Sequence, residues 1–60
     1  MYILKLVNQG FTWYLKGTIW TSEQERAFTY DTTEHACSEL EKAKPFMKKS
    51  LVKKVIIVKL

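Results

Sequence analysis

Apolar and polar positions alternate from Tyr2 to Val7, with Tyr2, Leu4 and Leu6 on one side and Ile3, Lys5 and Val7 on the other. That period of two predicts a β-strand. Asn8-Gln9-Gly10 forms a short turn, where the glycine can take a positive φ. Alternation resumes over Phe11–Lys16, with Phe11, Trp13 and Leu15 pointing one way and Thr12, Tyr14 and Lys16 the other. Two such runs joined by so short a connection read as an antiparallel hairpin.

Gly17 ends the second run, and Thr18–Thr21 is a weaker extended piece. Ser22–Glu25 is polar and reads as a turn, and Arg26–Tyr30 reads as the third main strand. Trp20 stands apart from the other large apolar residues, either plugging one end of the core or lying exposed.

The period then changes. Thr32 is a suitable N-cap, because its hydroxyl can accept a hydrogen bond from a free backbone N–H of the first turn. Asp31 capping with Glu34 in a capping box is the alternative. Ala36, Cys37, Leu40 and Ala43 trace an apolar stripe along a helix running from Glu34 to Lys44, and Met47 continues it a turn later. Cys37 on that stripe is expected to be buried. Pro45 ends or kinks the helix, after which Phe46 or Met47 turns into the core. Lys53–Lys59 is the last strand, and its Val55-Ile56-Ile57-Val58 run is apolar on both faces, which suits an inner strand or one buried in a dimer.

Strand, strand, strand, helix, strand predicts an α+β fold in which a small antiparallel or mixed sheet carries one helix on one face. With 60 residues the chain is one domain spanning 1–60, too short for a nucleotide-binding α/β fold or a solenoid. Eight aromatic residues and a 47% hydrophobic share exclude a disordered chain. Neither terminal apolar run is long enough to span a membrane, and the N-terminal one lacks the pattern of a signal peptide. One cysteine permits no internal disulfide, and the expected location is cytoplasmic.

Charge is distributed unevenly. Residues 1–20 sum to +2, residues 21–41 to −5 and residues 42–60 to +7, for a net charge of +4. The lysine-rich end would steer the chain toward an acidic partner, although lysines also protect strand edges and complement a helix C-terminus. Lysine outnumbers arginine nine to one, a poor composition for bidentate recognition of bases or phosphates.

No catalytic set emerges. His35 and Cys37 are two apart and point to different sides of a helix. There is no glycine-rich phosphate loop, no zinc-ligand spacing and no cofactor signature. The expectation is a non-enzymatic protein-binding module without cofactor. A helix on one side leaves the opposite sheet face to meet a partner, through Tyr14, Trp20 and Tyr30 as contact aromatics and Lys16, Lys48, Lys49, Lys53 and Lys54 as steering charges. A core this small also gains from homodimerisation. The rival reading is a basic nucleic-acid-binding module, in which strand aromatics stack bases beside the lysine-rich segment.

Tyr2-Ile3-Leu4-Lys5, Trp13-Tyr14-Leu15-Lys16-Gly17, and Ala27-Phe28 followed by Asp31-Thr32-Thr33-Glu34-His35-Ala36 together give the chain a pattern that resembles small accessory proteins of tailed bacteriophages and prophages. The resemblance implies a protein that inhibits or redirects a bacterial host protein in the host cytoplasm. It assigns no catalytic residue.

Overall fold

A computed structural model describes residues 1–60. Strand β1 (Tyr2–Asn8), β2 (Phe11–Lys16) and β3 (Ile19–Thr21) are followed by helix α1 (Thr33–Ala43), a single helical turn α2 (Lys49–Val52) and strand β4 (Val55–Lys59). The four strands form one antiparallel sheet in the order β3-β2-β1-β4. The fold is α+β, with its main helix packed on one face of the sheet.

The hairpins follow from backbone conformation. Asn8 pairs with Phe11, leaving Gln9 and Gly10 as a two-residue loop with φ of 50° and 82°. Two consecutive positive φ values match the twist of the flanking strands. Gly17 (φ 71°) opens the next two-residue loop, between Lys16 and Ile19.

The third strand lies earlier than the alternation of Arg26–Tyr30 implies. Thr18–Thr21, the weaker candidate, supplies β3, whereas Gln24–Arg26 forms a 3₁₀ turn and Ala27–Thr29 belong to no strand. Only Tyr30 makes a bridge, exchanging backbone hydrogen bonds of 2.7 and 2.8 Å with Tyr2, while the Phe28 N–H donates to the Leu15 carbonyl. The paired register of β1 and β2 stops at Lys5 and Tyr14. The 28–30 segment therefore enters as a wedge where the two strands part.

Register places Leu4, Leu6, Trp13, Leu15, Trp20, Val55 and Ile57 on one face. There Leu4, Leu15, Tyr30, Ala36 and Ala43 form the buried core, with Trp20, Leu40, Met47 and Val55 packed around it. Complete burial of Leu4 or Leu15 stabilises the fold by roughly 2 kcal/mol each. Helix α1 begins as its sequence directs: the Thr32 hydroxyl accepts the His35 N–H at 3.0 Å. The α-helix ends at Ala43 and tightens into a 3₁₀ turn over Lys44–Phe46 that contains Pro45.

Two expectations are corrected here, and one open choice is decided. The helix faces the sheet through Ala36, Leu40 and Ala43, so Cys37, rotated by one residue from that line, is exposed. Of the two candidates after Pro45, Met47 joins the core and Phe46 points outward. Strand β4 is an edge strand, with Ile56 and Ile57 exposed. Its double-sided apolar sequence is accompanied by Lys53, Lys54 and Lys59, the charges that guard an edge.

Candidate interaction surface

The second face of the sheet carries Lys5, Thr12, Tyr14, Lys16, Ile19, Thr21, Ile56 and Val58. Tyr14 stands directly between Lys5 and Thr21 in a row across the strands. This face is only partly open. Ile3 lies on it yet is 1% exposed. The 3₁₀ turn before α1 contacts β2, and Gln24, Glu25, Ala27 and Thr29 share a depression with Leu60. Tyr14 and Lys16 are half-buried.

The helix-bearing face also exposes apolar surface. Helix α1 sits mainly over β1 and leaves the end of the sheet near the first hairpin unroofed. Leu6, Trp13 and Trp20 form the floor of a groove there, and Phe46, Met47, Lys48 and Leu51 form its wall. Its volume is about 360 Å³. Sequence explains each wall residue. Pro45 stops the α-helix, the chain reverses through Met47 and Lys48 in extended conformation, and α2 brings Leu51 back toward the sheet. Phe46 is 73% exposed and Trp13 38%, and both belong to one contiguous apolar lining, which is more informative than a single exposed side chain.

Electrostatics divide the molecule in two. Glu23 pairs with Arg26, Asp31 with His35, Glu39 with His35 and Lys42, and Glu41 with Lys44. Glu23, Glu39 and Glu41 are thus answered by close basic neighbours and Asp31 by its hydrogen bond with His35, while Glu25 and Glu34 have no cationic partner. Lys5, Lys16, Lys48, Lys49, Lys53, Lys54 and Lys59 have no carboxylate partner. Lys48 lines the groove, and Lys54 is fixed at the hairpin end by donating to the Asn8 side-chain oxygen at 2.7 Å. No carboxylate lines the groove.

The expected contact residues therefore separate. Trp20 and Lys48 meet in the groove. Lys49 and Lys53 border a neighbouring depression with Glu41, Lys44, Pro45, Met47 and Val52. Tyr14 and Lys16 are on the other side of the sheet. Tyr30 is no contact aromatic: it is 3% exposed, held in the core by its bridge to Tyr2. Its hydroxyl is buried without a hydrogen-bond partner, and burial, with the nearby Glu39 charge second, raises its pKa above the ordinary 10.0.

Sequence reasoning missed Trp13, Phe46 and Leu51 as groove residues. The available signal was Phe46 next to a helix-stopping proline inside a lysine-rich run. No helix is long and apolar enough to cross a membrane. The chain matches no protein-family model, no curated protein and no solved structure.

Proposed function

We propose that this chain is a non-enzymatic protein-binding module that grips another protein through the groove floored by Trp13 and Trp20. The observation that carries the reading is the pairing of an unfilled apolar groove with lysines that have no carboxylate of their own. Apolar burial would supply affinity, and the lysines would raise the association rate with an acidic surface. The resemblance to phage accessory proteins supports a bacterial host protein as the partner, with the chain acting as an inhibitor or adaptor in the host cytoplasm. Self-association belongs to the same reading and would draw on exposed Val7, Ile19 and Ile56 on the second face; light scattering at high concentration tests it.

The test is affinity capture from a bacterial lysate with and without nuclease, using the wild-type chain and Phe46→Ala. A partner that survives nuclease and is lost with Phe46→Ala is expected. No Phe46-dependent partner overturns the reading.

One observation favours a second reading, a nucleic-acid-binding module: two tryptophans and a phenylalanine lie beside Lys48, which has no carboxylate partner. It requires binding to single-stranded nucleic acid that weakens steeply with salt. Absence of binding at low salt removes it.

A further inference from the structure

We infer that the groove takes one amphipathic α-helix of a partner protein, with apolar anchors on one stripe and Asp or Glu beside them. The inference rests on the protein-binding reading above and specifies its partner.

Sheet geometry argues for the helix. Four strands about 4.8 Å apart make a sheet about 19 Å wide. A helix is about 10 Å across with its side chains, so α1 roofs roughly half of that face. Two-layer folds complete such a face with a second helix about 10 Å from the first. This chain has only the 3₁₀ turn Lys44–Phe46 and the single turn Lys49–Val52 to offer there. Phe46 and Leu51 from those turns, with Met47 and Lys48 between them, form one wall of the groove, while Leu6, Trp13 and Trp20 remain as an unroofed floor. An extended segment would instead pair its backbone with a strand edge, whereas the groove is lined by side chains of the sheet face, from Leu6 of β1 across Trp13 of β2 to Trp20 of the edge strand β3. A volume of about 360 Å³ suits a few large side chains at i, i+3 or i+4, and i+7 of a helix.

Charge argues for the acidic flanks. Lys48 lies in the wall, Lys54 at the hairpin end, and no carboxylate is within the lining. A second copy of this chain fits poorly. A two-fold pairing through the groove brings Lys48 of both copies into one interface with no carboxylate in either lining. Nucleic acid fits the lysines, but Leu6, Met47 and Leu51 add an aliphatic lining that a base does not need.

The test is selection from a displayed random library of peptides about 14 residues long, roughly four helical turns, against the wild-type chain. Winners are expected to carry apolar residues at helical spacing with an excess of Asp and Glu. A synthesised winner should gain helical circular dichroism on binding and shift the tryptophan emission. Its affinity should fall at least about tenfold with Phe46→Ala or Lys48→Glu. Both positions are exposed, and an unchanged thermal midpoint verifies the fold of each variant. Winners with strand-like alternation or a basic bias, no enrichment, or an oligonucleotide binding the groove in place of any peptide overturns the inference. A Phe46-dependent lysate partner alongside such a failure leaves protein binding standing and removes only the helix; loss of that partner too removes both.

Discussion

His35 Nδ1 lies 3.0 Å from Asp31 Oδ1, one helical turn back along the chain. An ionised carboxylate only accepts, so the imidazole donates. That bond is the main reason the Asp31 carboxyl is held below its ordinary value of 3.8, with a backbone N–H adding to it. A folded-state pKa below the unfolded one means the native state favours the ionised form. The stabilisation is complete above the unfolded carboxylate range and is lost as pH falls through the depressed value. The thermal midpoint of the wild-type chain should therefore decline on acidification more steeply than that of Asp31→Asn. Parallel curves for the two proteins would show that the bond does nothing for stability.

Tyr30 presents the opposite pH limb. Its ring meets His35 edge-on, with centroids 5.2 Å apart, while its hydroxyl is buried and unpaired. Removing an unsatisfied buried hydroxyl should recover part of its desolvation cost, so Tyr30→Phe should stabilise the protein by roughly 1 kcal/mol in denaturant unfolding. Because burial raises the phenol's pKa above 10.0, the wild-type chain keeps its full stability below that value and loses it as pH rises toward the folded-state value. Tyr30→Phe should lack this alkaline decline. A variant less stable than wild type at neutral pH would mean that the hydroxyl has a partner in solution.

The Arg26–Tyr30 run marks where sequence reading stops working. Its alternation is real, but a strand needs a neighbour along its length, and the gap between β1 and β2 admits only the bridge from Tyr30 to Tyr2. That gap is tertiary and leaves no local trace. The first hairpin and the Thr32 cap were legible because their causes are local: period-two alternation, a glycine at positive φ, and a hydroxyl three residues before a free N–H. Cys37 was misplaced because two helical lines share Leu40, one through Cys37 and one through Ala36. Only contact with the sheet selects Ala36. The groove was half legible. Trp20 and Lys48 were marked by size and charge, but the unroofed state of Trp13 depends on where α1 comes to rest.

Exposure of Cys37 has a chemical consequence. The side chain is off the core line, and the chain holds no second cysteine. A thiol reagent should label the native protein fully, without denaturant, at close to the rate seen for the unfolded chain. Cys37→Ser should change unfolding free energy by no more than about 0.5 kcal/mol, as for other surface replacements. Slow labelling that tracks global unfolding would put the thiol inside.

Gly17 and Phe28 together hold the wedge against the sheet. Gly17 has φ of 71°, and a Cβ built on it would lie 3.3 Å from Cε2 of Phe28. The next residue along the wedge but one is Tyr30, whose bridge closes the gap beside Tyr2. An alanine at Gly17 meets two penalties, left-handed backbone and a tight ring contact, for a loss of about 1–2 kcal/mol. Gly10 is the control. Its φ is 82°, but a Cβ there would meet nothing within 4 Å, so Gly10→Ala should cost about 1 kcal/mol from backbone conformation alone. Shrinking the ring separates the two terms. In a Phe28→Leu background the penalty for Gly17→Ala should drop toward that of Gly10→Ala, as a double-mutant cycle in urea would read. Equal penalties in both backgrounds would mean that the ring turns away at no cost and the wedge is held by its backbone bonds alone.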